Sequence, residues 1–308
     1  MKYLIAFDFS TNRFNYPTRL YVESILKQNK IEYTYNKKDE YDEVLALSSE
    51  DYFSLFSHSR PNKRVSLIAV NDIDDLIISK KTKQIELTHL ALQIYKNVDS
   101  LLVFSKSQQE YLKNKYNLTN TKIIPLISSY DEKNILEDEK RAFRSTYRIN
   151  DNQKIILSYG NYKNKEECKT FESLARTNPD YSFLFFGIND RDFVKSKLLE
   201  RILIPTNIQY CDYIPEELYY SAIYSSSCLL LTNQMIASAC IIADYMKAKK
   251  PIIVSNSSIF EDILNKDTSL LSSDYEALFN YIQKIEKENK TEKAYSFITQ
   301  KEKETFKI

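Results

Sequence analysis

Three groups of side chains in this 308-residue sequence have types and spacings that could do chemistry. Lys163 and Lys165 sit in an NYKNKEE turn between the apolar run Ile155 to Tyr159 and a helical pattern that starts at Lys165. A lysine beside a helix N-terminus suits a phosphate through charge and dipole together; the plainer reading is a solvated turn. Asn71, Asp72, Asp74 and Asp75 follow the apolar run Val65 to Val70. Such a cluster can hold hydroxyl groups, or cap a following helix with a favourable charge at its dipole. The third place is the turn Asn233 to Ser238, within CLLLTNQMIASACIIADYMKAKKPIIVSN (Cys228 to Asn256). Two β-like runs there, Cys228 to Leu231 and Ile252 to Val254, bracket a segment of helical periodicity. In doubly wound proteins, ligands bind where strands hand over to helices.

Other chemistries are poorly supplied. The two histidines, His58 and His89, belong to no readable Ser, His and Asp constellation and read as structural. Cys168, Cys211, Cys228 and Cys240 lack metal-ligand spacing and read as buried thiols, so no metal is expected. Gly160 and Gly187 are the only glycines, where average usage predicts about twenty, which leaves a glycine-rich phosphate loop unsupported. A net charge of +1 argues against a nucleic-acid partner. No apolar run reaches the roughly 18 residues of a membrane span, and the chain opens on KYLIAF without a signal-peptide pattern, so a cytoplasmic protein is expected. Lys80, Lys81 and Lys83, ahead of an amphipathic segment, suggest at most weak peripheral contact with the inner face of a membrane.

The elements that must position these groups alternate along the chain. Strand-like runs at Lys2 to Phe7, Ile31 to Tyr35, Val44 to Leu47, Val65 to Val70, Leu101 to Phe104 and Ile123 to Ile127 are separated by helical segments near Pro17 to Lys27, Asp51 to Ser57, Lys83 to Lys96 and Ser107 to Tyr116. A charged stretch, Ser128 to Gln153, reads as a linker. A second series follows, with strands at Ile155 to Tyr159, Tyr181 to Phe186, Ile208 to Ile214, Leu229 to Leu231, Ile252 to Val254 and Ser269 to Leu271. Helices are expected between them at Lys165 to Arg176, Pro215 to Tyr224 and Asp274 to Glu286. Because parallel strands need crossover connections, the pattern predicts α/β architecture with two Rossmann-like domains, 1–150 and 151–285, and a ligand cleft between them. A helical tail, 286–308, is expected to pack over the first domain or to fray in solvent.

The second half resembles the retaining glycosyltransferase family four, of the GT-B type. ILSYGNYKNKEE (Ile156 to Glu167) is similar to that family's strand, glycine and basic turn. YSFLFFG (Tyr181 to Gly187) and IQYCDYIPEELYYSAIYSSSCLLLTN (Ile208 to Asn233) are similar to its strand, nucleotide-base loop, helix and strand. ADYMKAKKPIIVSN (Ala243 to Asn256) is similar to its Glu-Ala-Met-Ala-x-Gly-Lys-Pro-Val segment. DEYDEVLAL, KRVSLIAVNDIDDL and SLLVFSKSQQEYL follow the family's order in the first half, so the likeness covers about residues 1 to 285. It is strongest towards the bacterial hexosyl-diacylglycerol glycosyltransferases.

The resemblance implies a GT-B fold, its two parallel sheets facing across a cleft, and metal-independent transfer of a hexose from a UDP-sugar to a lipid or glycan hydroxyl. It implies that Lys165 and Lys163, beside Gly160, stabilise the donor diphosphate. It assigns Ile214 to backbone contacts with the base, and Asn233 and Ser238 to the donor turn. It places the second Glu of the family's Glu-seven-Glu signature on Asp244, facing the ribose, and it implies that Asn71 or Asp72 positions the acceptor. The sequence departs from the pattern at three places. Ile236 stands at the first Glu, Ile68 and Val70 stand where relatives carry a histidine, and DFSTNRFNYPTR (Asp8 to Arg19) replaces the glycine loop, with Arg13 or Arg19 to supply charge. If each lost group were an oxyanion-type contact, each would cost about 3 to 4 kcal/mol of transition-state stabilisation. The alternative is therefore a catalytically degenerate homologue serving another glycosyltransferase subunit, with Tyr219, Tyr220 and Tyr224 as a candidate partner surface.

Overall fold

The computed structural model of the chain describes all residues except 10–15, 70–75, 79–84, 160–164, 188–203, 232–238, 255–260, 273, 288–289 and 305–308. The first lobe runs β1 (Lys2–Ala6), α1 (Tyr16–Gln28), β2 (Glu32–Thr34), β3 (Glu43–Ala46), α2 (Ser49–Phe56), β4 (Arg64–Ile68), β5 (Leu76–Ile78), β6 (Ile85–Leu87), α3 (His89–Asn97), β7 (Ser100–Val103), α4 (Lys106–Tyr116) and β8 (Thr121–Ile123). Its described strands form a parallel sheet in the order β2-β1-β3-β4-β7-β8. Leu4, Ile5, Val44, Leu45, Val65 and Leu67 are buried, as expected of strands covered on both faces.

Two expectations shift here for local reasons. The helix expected from Lys83 begins only at His89, because Ile85–Leu87 pairs antiparallel with Leu76–Ile78 and Thr88 then caps the helix, its hydroxyl accepting from the Ala91 N–H at 3.2 Å. The strand expected to reach Ile127 ends at Ile123. Pro125 has no N–H to give a ladder, and its carbonyl instead accepts the Tyr21 hydroxyl at 2.7 Å.

The second lobe comprises α5 (Glu137–Thr146), β9 (Lys154–Tyr159), α6 (Lys165–Thr177), β10 (Tyr181–Phe186), β11 (Ile208–Cys211), α7 (Tyr219–Ser225), β12 (Cys228–Leu231), α8 (Ala239–Lys247), β13 (Ile252–Val254), β14 (Leu270–Leu271), α9 (Tyr275–Gln283) and α10 (Lys290–Lys301). Its described strands form one parallel sheet, in the order β11-β10-β9-β12-β13-β14.

The stretch expected as a linker is largely structured. Within it, α5 buries Phe143 against Phe186, and Arg144 donates to the carbonyls of Asn150 and Gln153, both at 2.8 Å. The Ser221 hydroxyl reaches back to the Glu139 carbonyl. Charged residues hide an amphipathic helix of the second lobe, and the strap from Ile124 to Leu136 connects the lobes. The tail is likewise placed: α10 packs on α8 through Ala294 and Ile298, with ion pairs Lys247–Glu302 at 2.6 Å and Lys249–Glu292 at 2.9 Å.

Candidate functional site

Both sheets reverse their winding, and each reversal leaves a crevice at the carboxyl ends of neighbouring strands. In the second lobe the chain passes outward from β9 through β10 to β11 and then returns to β12 on the other side of β9, pairing Leu229 with Leu157. β9 and β12 therefore end side by side, at Tyr159 and Leu231, the place where parallel sheets bind ligands. In the first lobe the reversal lies between β1 and β3.

The lobes meet through these carboxyl ends. Arg19, on α1 after β1, pairs with Glu216, after β11, at 2.8 Å. Tyr16 and Tyr219 stack edge to face with ring centroids 5.5 Å apart. At the start of α4, after β7, the Lys106 N–H donates to Asp262, after β13, at 2.8 Å, and the Ser107 hydroxyl joins it. The carboxyl ends of the two sheets thus face one another across these contacts.

Asp244, on α8, is 1% exposed. Its carboxylate accepts from the Ser128 hydroxyl at 2.7 Å, the Ser129 N–H at 2.7 Å, the Ser129 hydroxyl at 3.0 Å, the Tyr130 N–H at 3.1 Å and the Tyr219 hydroxyl at 2.8 Å. Burial raises its pKa and the donors oppose that rise. Its oxygens are engaged by the strap and by α7, so the ribose contact that the resemblance implies for Asp244 has to compete with these donors. Tyr220 adds to the same knot by donating to the Ser129 carbonyl at 3.0 Å. Of the three tyrosines expected on a partner surface, Tyr219 is buried and Tyr220 half-buried at the lobe junction, and Tyr224 is half-buried as well.

Lys165 opens α6, as expected, at the carboxyl side of β9. Ile214 is 2% exposed, its side chain in the core shared by both lobes. Gly160, Lys163, Asn233 and Ser238 lie outside the described residues, as do Asn71, Asp72, Ile236, Val70 and Arg13, and Lys80, Lys81 and Lys83. Ile68 is buried in β4. His58 and His89 are exposed, a correction to their reading as satisfied structural residues. Cys168, Cys228 and Cys240 are buried, and burial pushes the half-buried Cys211 thiol up to about 12. Among the described residues no cluster could hold a metal ion, and no helix is long and apolar enough to cross a membrane.

Sequence reasoning misses the Asp262 contact and the Arg19 to Glu216 pair. Their partners lie 156 and 197 residues apart, and no local pattern announces either contact. A weak signal for Arg19 exists in Phe7, Phe9 and Tyr16, whose rings lie 4.7 to 5.4 Å from its guanidinium carbon.

Comparison with known proteins agrees with this geometry. The glycosyl transferases group 1 family profile matches residues 139–303, a span that starts within α5 and ends just beyond α10. The processive diacylglycerol alpha-glucosyltransferase of Acholeplasma laidlawii is 19% identical over 211 residues, 65% of this chain and 62% of that protein, so the match spans less than two thirds of the relative. Anabaena HepE, solved in complex with UDP-glucose, superposes with a TM-score of 0.64 at 11% identity, covering 98% of this chain and 95% of that one. A glycosyltransferase from Rickettsia africae gives 0.59 at 13% identity over 97% and 93%. At these identities the two structures show the fold alone, and that fold is GT-B.

Proposed function

The chain belongs to the glycosyl transferases group 1 family, and on that premise we propose that it transfers a hexose from a UDP-sugar to a lipid or glycan hydroxyl without a metal. The observation that carries this reading is the reversal of winding between β9 and β12, whose carboxyl ends lie side by side in the lobe that matches the family. In this reading Lys165 and Lys163, at the N-terminus of α6 and beside Gly160, offset the charge of the departing diphosphate. Cationic side chains and a helix dipole do so without the reorganisation that water would require. The backbone at Ile214 meets the base, Asn233 and Ser238 meet the donor, and Asn71 or Asp72 orients the acceptor hydroxyl. A ribose contact from Asp244 has to compete with the strap donors that already engage its carboxylate.

One observation favours a second reading, the non-catalytic partner of another glycosyltransferase. The aligned Glu-seven-Glu positions hold Ile236, which cannot accept a hydrogen bond, and Asp244, which is committed to the strap. Calorimetric titration with UDP, UDP-glucose and UDP-galactose separates the two. Micromolar binding weakened about tenfold by Lys165→Ala supports the transferase, at the strength of one charge-assisted contact. No binding at millimolar nucleotide would sink it.

A further inference from the structure

A cavity of about 780 Å³ opens in the second lobe beside the amino ends of β12 and β13, a strand's length from the carboxyl ends where the donor is proposed to bind. Its walls come from stretches far apart in the sequence: α5, the end of α7 with the serines before β12, the turn from α8 into β13, and the start of α10. Arg141, Arg144, Lys249 and Lys250 bring four cations to it, against the carboxylates of Glu137 and Asp151. Such a volume suits a small molecule, and the excess of positive charge selects an anion.

Two of these cations are half-buried and held by neutral partners. Arg144 donates to the carbonyls of Asn150 and Gln153, both at 2.8 Å, and of Ser225 at 3.3 Å. Lys250 donates to the Tyr224 carbonyl at 2.9 Å. The carbonyls at the end of α7 gain a capping partner from each, which orients the cations without neutralising them. The carboxylates that answer them, Asp151 for Arg144 and Glu132 for Lys250, act at Coulombic range, and burial holds both cations below their ordinary pKa. Arg141, three residues before Arg144 on α5, adds an exposed guanidinium to the same wall. Lys249 differs, because Glu292 pairs with it at 2.9 Å. Capping one helix end needs one cation near its last carbonyls, and the cavity gathers more positive charge than that.

A phosphate monoester supplies the charge that this arrangement lacks. It carries about −1.5 to −2 near pH 7. Its oxygens suit both the planar fork of a guanidinium and the point charge of an ammonium, and the hydroxyl-bearing Ser227 and Thr291 line the same cavity. We propose that this cavity is a second anion site, which takes a phosphate monoester through Arg141, Arg144 and Lys250. The site is separate from the donor turn and does not rest on the nucleotide-sugar reading.

Calorimetric titration of the full-length chain with glycerol 3-phosphate tests this, with glycerol as the uncharged control. Vesicles of phosphatidylcholine with and without phosphatidic acid present the same group on a lipid. Each variant is first checked for cooperative unfolding. Wild type should bind the free ester and not glycerol, Arg141→Gln and Lys250→Gln should each weaken that binding about tenfold, and Lys165→Ala should leave it unchanged. Binding of phosphatidic acid vesicles alone, weakened by the same two variants, assigns the phosphate to a lipid and supports the site. Saturating UDP should leave the affinity for glycerol 3-phosphate as it was. An ester displaced by UDP, or weakened as much by Lys165→Ala as by Arg141→Gln, binds elsewhere and overturns the proposal. So does the absence of binding by both forms at millimolar phosphate. Should Lys250→Gln fail to fold, Arg141→Gln decides alone, because that side chain is exposed and its replacement leaves the fold intact.

Discussion

The backbone N–H of Ser129 donates to the carboxylate of Asp244 at 2.7 Å, across 115 residues of sequence. This contact ties the strap between the lobes to the helix that follows segment 232–238. A position that the family resemblance assigns to a ribose is used here to set how the lobes meet.

Asp244→Ala should therefore be among the most destabilising single changes in the chain. It strips an acceptor from the hydroxyls of Ser128, Ser129 and Tyr219 and from the N–H groups of Ser129 and Tyr130 in a dry junction. Each buried donor left unmet costs about 1 to 3 kcal/mol. A total loss of at least about 3 kcal/mol is expected in urea unfolding. Asp244→Asn keeps an acceptor oxygen and should lose roughly half as much. Equal stability of wild type and Asp244→Ala would show that the knot contributes nothing.

Acid stability has an identifiable contributor at Asp99. The Val65 N–H, at 2.8 Å, together with the Arg60 guanidinium, at 3.0 Å, holds its carboxyl below the ordinary value of 3.8. A carboxylate whose folded pKa is depressed adds stability above its unfolded pKa and loses it as pH falls through the folded one. Asp99→Asn should thus melt below wild type at pH 7, and the gap should close as the pH is taken below 3.8. A gap that stays constant down the acid range would refute the assignment.

The N-cap of α4 is Ser105, and Asp262 of the other lobe accepts the N–H of the first helical residue, Lys106, at 2.8 Å. Asp262→Ala should cost about 1 kcal/mol, the ordinary net worth of one hydrogen bond. Hydrogen exchange at the Lys106 amide should quicken, while the α7 amides keep their wild-type rates. Faster exchange throughout the second lobe would point instead to general destabilisation.

The C-terminal helix belongs to the fold. Ile298 is fully buried in the core that also receives Ile241 and Tyr245. Ile298→Ala should lose about 2 to 4 kcal/mol in chemical denaturation. A change below about half a kcal/mol, the range of ordinary surface substitutions, would mean that α10 is not docked in solution.

Much of the frame is legible residue by residue. The runs KYLIAF, ILSY, YSFLFF and CLLL form buried parallel strands, and Lys165 opens a helix as its turn predicts. These are short-range properties: hydrophobic period and crossover length select strand, helix and parallel pairing before any tertiary contact forms. The α5 segment reads as linker because its charges outnumber its core residues, and only the packing of Phe143 reveals its buried face. Strand order and the partners of Arg19, Asp262 and Asp244 come from tertiary structure alone. Each of those three side chains joins groups more than 100 residues away, and a carboxylate's role depends on which donors reach it and on how little water remains. Asp244 shows the division: residue type and spacing mark it as an acceptor, and the folding of the strap against α8 decides that its donors are Ser128, Ser129, Tyr130 and Tyr219.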